Sequence, residues 1–415
     1  MTTRSNPAVA PAAPNYTGPF VTVAILFGIF GFLTSLNNTL VAKLEAVFKL
    51  THGPAELATT AWFFAYLVFS VPAAKVIEKV GYKRTMVLSL FVMVVGALLF
   101  IPAANLVSFH MTLLAIFVLA TGVTGLQTSA NPYVSILGPE RSAPARLNLA
   151  QAVNSFGSFA APWVAAHFIL TNPGNMATPA STAEMLRGPY IAIAIALLLL
   201  GVAVMMLHLP AITMARDSHP AANAEGEKSI WAHTHTVLGM VGIFFYVGLE
   251  IALASITIQF SLAQGMTQVE AAGNMLVLYY VFMMAGRLVG SAIMKWIKAQ
   301  TLLVILGLAG TVLLLVSMNS HGLAAVWTLV FCGVTNSIMY PTIFALGVAD
   351  LGPLTSKGSG VITIGNVGGA VIPPLFGWLA DRVGIQYALV IPIIAYLYVA
   401  FYGMWGYKPE RKETA

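Results

Sequence analysis

Long apolar stretches recur from residue 20 to residue 406, and they constrain the fold of this chain more than any other feature of its sequence. A helix rises about 1.5 Å per residue and the hydrocarbon core of a bilayer is roughly 30 Å thick, so about 20 apolar residues cross it. The stretches expected to cross are 20–42, 56–78, 85–103, 109–137, 145–170, 189–209, 236–262, 270–294, 301–320, 322–347, 356–381 and 384–406. Composition agrees. Of the 415 residues 58% are hydrophobic and 8% charged, whereas an ordinary soluble domain carries about 25% charged residues. One soluble core could not hide that much apolar surface, but a lipid bilayer solvates it. The expected fold class is an all-α membrane protein of twelve transmembrane helices.

The polar stretch 210–235, containing Arg216, Asp217, Glu225, Glu227 and Lys228, is the longest connection. It divides the chain into six-helix halves, 20–209 and 236–406, flanked by tails 1–19 and 407–415. With the N-terminus inside, fifteen Lys and Arg fall on the inner side, from Arg4 through Lys75, Arg141, Lys295 and Lys357 to Lys412. Four fall on the outer side (Lys43, Lys49, Arg187 and Arg382), and Arg287 lies within a span. Lys and Arg concentrate in cytoplasmic loops, so this asymmetry puts both termini and the central loop in the cytoplasm. The net charge of +6 is spread over short loops with no long basic run, which argues against a nucleic-acid partner. Cys332 is the single cysteine, so no disulfide or cysteine–metal framework exists within the chain. The polar, Ala- and Pro-rich first residues lack the pattern of a cleaved signal and are expected to form a tail.

The halves repeat. Asn131-Pro132, Asn154-Ser155-Phe156-Gly157 and Ala161-Pro162 correspond to Tyr340-Pro341, Asn366-Val367-Gly368-Gly369 and Pro373-Pro374. From Asn to Gly is three residues in both, and from Gly to the final Pro is five. A parallel repeat of six helices around a central cavity is the layout of major facilitator transporters. The loop from Ala74 to Arg84 resembles the signature loop of that superfamily, with Glu78, Lys79 and Gly81 followed by Lys83 and Arg84. Gly81 permits a tight turn, and Glu78 is suited to pairing with a base across the loops as a gating latch. The equivalent second-half loop, Gly290 to Lys298, keeps bases but lacks the acid.

Polar side chains at mid-membrane are costly unless they face a cavity or a partner, which makes each one a candidate site. Asn37 and Asn38 lie in the first span. Gln127 and Asn131 are four apart on one face of the fourth, just before Pro132. Asn148, Gln151 and Asn154 follow at three-residue spacing in the fifth. Each amide offers two donors and two acceptors, which suits a neutral polyhydroxylated ligand; amides also serve as glue between membrane helices. Asn274, Asn336, Tyr340 and Asn366 would complete the far wall of a cavity, and Trp62, Trp163 and Trp378 offer flat apolar faces. Glu250 is the only carboxylate deep in a span, and Arg287 is its obvious partner, either as a structural pair or as a coupling site. Neither a phosphate-cradling loop nor a zinc-protease, serine-hydrolase or paired-carboxylate motif occurs, which argues against an ATP-driven pump or an enzyme. The sequence calls for no cofactor.

The strings Gln127-Thr128-Ser129-Ala130-Asn131-Pro132-Tyr133-Val134, Leu137-Gly138-Pro139-Glu140, Arg146 to Gly157, Asn336 to Phe344, Gly369 to Pro373 and Gly377 to Asp381 are similar to the fucose–galactose–glucose:proton symporter family. Gln127 and the string Tyr246-Val247-Gly248-Leu249-Glu250 lean toward its glucose/galactose branch. The resemblance covers nearly all twelve spans and implies that Gln127, Gln151 and Asn154 contact sugar. It also implies a multi-pass protein of a bacterial inner membrane. Members of that family usually carry an acid after an asparagine in the first helix, linked to cation coupling, but here the pair is Asn37-Asn38. Three readings follow: coupling has moved to Glu250, the chain is an uncoupled uniporter, or the amide was introduced to trap one state.

The function expected is secondary active transport of a glucose- or galactose-type hexose by alternating access, coupled to H+ or Na+ and acting as a monomer. A ring of amide oxygens with one carboxylate suits a Na+ site near Asn38 or Glu250. An uncoupled sugar uniporter, an amino-sugar transporter and a non-transporting sugar sensor are the alternatives.

Overall fold

The structure is a computed structural model that describes residues 16–47, 52–106, 108–164, 179–207, 229–267 and 269–409. Within these, the side chains of 37–47, 52–56, 162, 179–186, 272 and 273 are left aside. Most of the loop 210–235 and most of both tails lie outside the described residues, and so does the side chain of Asn38.

Where described, the twelve expected spans lie mostly on helical backbone; the departures are residues at their ends, such as 384–386, and the turn 337–338 within the tenth. Helix α1 is Thr17–Val47. The stretch His52–Asn105 holds two helices, α2 and α3, that turn at Gly81. Then come α4 (Phe109–Ile136), α5 (Ala143–Val164), α6 (Pro179–Met206) and α7 (Thr234–Ala263). Helix α8 is Leu276–Ile293, entered through the wide turn Glu270–Met275, and α9 is Ala299–Asn319. Helix α10 occupies Gly322–Gly347, α11 Gly352–Val383 and α12 Tyr387–Gly406. Among the described residues ten stretches are long and apolar enough to cross a membrane. Among them the His52–Asn105 stretch contains two crossings, and amide-rich α5 supplies the one that apolarity alone does not select.

Local chemistry sets the ends and breaks. Gly81 adopts φ 83° and ψ 167°, a backbone region open essentially to glycine, so α2 reverses into α3 through a single non-helical residue. Thr267 and Glu270 form a reciprocal cap before α8: the Glu270 carboxylate accepts from the Thr267 backbone N–H at 2.9 Å, and the Thr267 hydroxyl accepts from the Glu270 N–H at 3.3 Å. Arg146, near the start of α5, gathers carbonyls at the end of α4, donating to Ser135 at 2.7 Å, Pro139 at 2.7 Å and Val134 at 3.3 Å. The last turn of a helix leaves its carbonyls unpaired, so this one cation fixes α4 against α5 and sets the register of their amides.

At several crossings the backbones are so close that only glycine fits, and two of these are tightest. A Cβ at Gly157 of α5 would sit 2.0 Å from the Gly28 carbonyl oxygen of α1, and one at Gly368 of α11 would sit 1.9 Å from the Phe244 oxygen of α7. These crossings are equivalent in the two halves, yet sequence spacing pairs Gly157 with Gly369. Gly369 instead faces the ring of Phe63 on α2. The tight 3-10 turn Gly365–Val367 inside α11 changes its rotation per residue and moves the register by one position. Because the opposing atoms are backbone and cannot move aside, Gly157→Val and Gly368→Val are expected to abolish monodisperse protein on size-exclusion chromatography.

Candidate functional site

The two halves meet chiefly where α2 and α4 pack on α11 and where α5 packs on α8 and α10. Hydrogen bonds cross this seam in a ladder. At the end that loop charges assign to the cytoplasm, Glu78 lies 3.8 Å from Lys357, the Tyr82 and Ser356 hydroxyls are 3.4 Å apart, and the Glu140 carboxylate accepts from the Asp350 N–H at 3.1 Å. Deeper in, Ser291 donates to the Ala145 carbonyl at 2.9 Å and Asn148 donates to the Thr342 hydroxyl at 3.3 Å. Arg287 forms the last rung, with Gln151 and Ser155. Ser155 is ten residues beyond Ala145, about 15 Å along the helix, so the ladder runs roughly to mid-membrane.

Proline supplies two of the acceptors. Pro132 has no N–H to give the Thr128 carbonyl four residues back, and Ser359 of α11 donates to that oxygen at 2.6 Å. Pro341 leaves the Ser337 carbonyl in the same position, and Arg287 Nε takes it at 3.0 Å. Both prolines therefore create a main-chain acceptor at the seam, which a polar side chain then fills.

At the inner end of the ladder the amides converge. Tyr340 of α10 donates to Gln127 Oε1 at 3.5 Å and accepts from Asn131 Nδ2 at 3.5 Å, while Gln151 Nε2 donates to Asn131 Oδ1 at 3.5 Å. Asn366 of α11 donates to the Thr363 carbonyl at 2.8 Å and lies beside the Tyr340 hydroxyl. The Tyr246 ring centroid is 6.2 Å from that of Tyr340. Five expected residues, Gln127, Asn131, Gln151, Tyr340 and Asn366, thus form one polar patch built from both halves. The two amide–phenol contacts and the amide–amide contact are all at the long limit of hydrogen bonding, so these groups are held weakly and can trade partners.

Glu250 and Arg287 stand next to this patch. Arg287 is 6% exposed, and its Nη2 lies 3.9 Å from Glu250 Oε1. A hydrogen-bonded ion pair is about 1 Å shorter, so the two charges attract without sharing a proton. The fully buried Tyr246, one turn before Glu250, faces both groups.

Other expected residues sit elsewhere. Asn336 is fully buried in a separate network, donating to the Tyr279 hydroxyl at 2.7 Å and accepting from Tyr396 at 2.7 Å. Asn154 donates to the Phe27 carbonyl at 2.9 Å and so ties α5 to α1. Asn274 is exposed on the turn before α8, outside the patch. Asn38 lies on α1 with its side chain outside the described residues. In the loop, Lys83 donates to the Met205 carbonyl at 2.9 Å, Gly81 makes the turn, and Lys79 and Arg84 are exposed. Trp378 is half exposed and stacks under Arg382 at 3.9 Å. Sequence reading did not single out Lys357, Ser155 or Tyr82 as partners across the seam.

These two kinds of amide predict opposite outcomes. Asn336→Ala strands the buried Tyr279 hydroxyl and takes one acceptor from Tyr396, which keeps Thr335 at 2.7 Å, and is expected to cost about 1–3 kcal/mol, read as a lower thermal midpoint in detergent. Gln127→Ala should leave that midpoint nearly unchanged.

The fold and the two-half site define a polytopic secondary transporter rather than an enzyme. Residues 23–365 match the Major Facilitator Superfamily. A glucose/galactose transporter of Brucella abortus is 38% identical over 397 residues, covering 95% of each chain. An L-fucose-proton symporter of Escherichia coli is 30% identical over 422 residues, covering 97% of this chain and 94% of its own. The crystal structure of a major facilitator superfamily transporter, FucP, in the outward conformation superposes with a TM-score of 0.85 at 30% identity, covering 94% of this chain and 99% of its own. The chain belongs to the fucose–galactose–glucose:proton symporter family of the major facilitator superfamily.

Proposed function

We propose that this protein is a monosaccharide carrier of the inner membrane that binds a glucose- or galactose-type hexose between its halves and moves it by alternating access. The observation that carries the reading is the patch of Gln127, Asn131, Gln151 and Tyr340, whose mutual contacts are all 3.5 Å and are readily given up to sugar hydroxyls. A hexose presents donors and acceptors in every direction, and amides match both. The names borne by the 38% and 30% identical relatives, a glucose/galactose transporter and an L-fucose-proton symporter, support the same substrate class.

The ladder closes the seam on the side of Glu78, Lys357, Glu140 and Asp350, which the positive-inside bias makes cytoplasmic. The conformation is accordingly outward-facing, and its similarity to an outward-conformation structure supports this. The Glu78–Lys357 pair is partly exposed, so as a gating latch it is worth at most about 1 kcal/mol. Closure rests on the sum of many such contacts, which lets the carrier, taken here as a monomer with both termini inside, switch readily.

Coupling to H+ or Na+ falls to Glu250, because Asn38 replaces the acid on α1 that its family usually carries and cannot exchange a proton. The test is counterflow of radiolabelled glucose, galactose and fucose in proteoliposomes, with and without a proton or sodium gradient. Saturable hexose exchange is expected, and its absence for every hexose would refute the substrate assignment. Gln127→Ala and Gln151→Ala should each weaken exchange by about tenfold, as for one lost hydrogen bond. Asn38→Asp should raise gradient-driven accumulation above that of the unsubstituted chain. The unsubstituted chain should itself accumulate sugar under a gradient, and Glu250→Gln should abolish this; no gradient-driven accumulation by the unsubstituted chain would refute coupling at Glu250.

A further inference from the structure

Arg287 is placed unlike any other charged residue in the described structure. It belongs to α8 in the second half, is buried near mid-membrane, and spends its donors on three acceptors. Nε bonds the Ser337 carbonyl of its own half at 3.0 Å. Nη1 crosses to the first half, bonding the Gln151 carbonyl at 3.2 Å and the Ser155 hydroxyl. Nη2 points toward Glu250 of α7 but stops at 3.9 Å. The carboxylate nearest this cation is therefore not its hydrogen-bond partner, while two neutral groups of the opposite half are.

We propose that Arg287 exchanges partners between the two states of the carrier. With the halves closed at the cytoplasmic end it holds α5 through Gln151 and Ser155; when α5 draws away from α8 it turns onto Glu250. The argument rests on alternating access as proposed above and on three observations. First, the α5–α8 contact lies at the seam, so cytoplasmic opening must break both cross-half bonds. Second, a buried guanidinium stripped of acceptors is strongly unfavourable, so an unreplaced loss would block opening. Third, Glu250 is in the same half as Arg287, within about 1 Å of hydrogen-bond distance, and its side chain retains 22% exposure, which leaves room to close the gap. The Ser337 carbonyl freed by Pro341 is the pivot, since its bond to Nε lies within one half and survives the motion. Arg287 is on this reading a positioning residue. In the closed state it also fixes the backbone of Gln151, whose amide belongs to the polar patch.

The exchange makes a prediction of sign that a purely structural ion pair does not. Removing the fallback partner should favour the closed end, and removing a cross-half partner should favour the open one. Arg141 and Lys295 are exposed, flank the same cytoplasmic groove and belong to different halves. Spin labels on Arg141→Cys and Lys295→Cys in lipid nanodiscs report the opening as a distance distribution; the native Cys332 is fully buried. Glu250→Gln is expected to lower the long-distance fraction, and Ser155→Ala to raise it, each by about tenfold, the scale of one hydrogen bond to a charged group. In an Arg287→Gln background both shifts should vanish. Shifts of the same sign, unchanged distributions, or shifts that persist without Arg287 would overturn the proposal. The opposite signs of the first two variants suffice if Arg287→Gln fails to fold. No sugar is used, so failure to find hexose transport would sink the substrate reading and leave this one standing.

Discussion

A hydrocarbon slab offers no hydrogen-bond partner to a backbone carbonyl, and that constraint organises the seam of this molecule. Inside a helix the need is met automatically, until a proline withholds its N–H. Pro132 and Pro341 each release one carbonyl, and each is answered by a side chain at the seam, Ser359 in one case and Arg287 in the other. The seam is therefore not merely two apolar surfaces in contact. It is a set of directional bonds whose positions are dictated by where proline interrupts α4 and α10. The amides of α4 and α5 take their register from the same region, because Arg146 fastens the end of α4 to the start of α5.

Within that frame, bond length separates polar groups that hold the fold from those free to act. Asn336 sits between two phenols at 2.7 Å with no exposed surface, and its bonding capacity is spent on joining α8, α10 and α12. Gln127, Asn131, Gln151 and Tyr340 touch one another only at 3.5 Å. An apolar environment penalises unmet polar groups, so loosely bonded amides gathered at one depth are the natural place for a polar ligand to be received.

Much of this was legible in advance. The spans, the turn at Gly81, the amides of α4 and α5 and the nearness of Glu250 to Arg287 all follow from apolar length, glycine placement and helical spacing. What escaped was whatever depends on how the two halves rotate against each other. Asn336 and Asn366 look alike in sequence, both amides in second-half spans, yet one is sealed in a tyrosine network and the other lies beside Tyr340. Local periodicity cannot distinguish them, because the difference lies in which helix comes to face them. Likewise the repeat aligned Gly157 with Gly369, but a 3-10 turn in α11 hands the close crossing to Gly368. Lys357 reads as one more loop base until folding puts it opposite Glu78.

The glycine crossing between α1 and α5 has a mechanical consequence. With Gly157 against the Gly28 oxygen, Asn154 bonded to the Phe27 carbonyl and Ser35 donating to the Ser158 carbonyl at 2.9 Å, these two helices are joined backbone to backbone and cannot slide past each other. They form a single lever. Whatever displaces α5 at the seam carries α1 with it, so position 38 on α1 travels with the amides of α5 as one rigid piece. Sequence changes in α1 would thus alter the chemistry carried by the lever without altering its stroke.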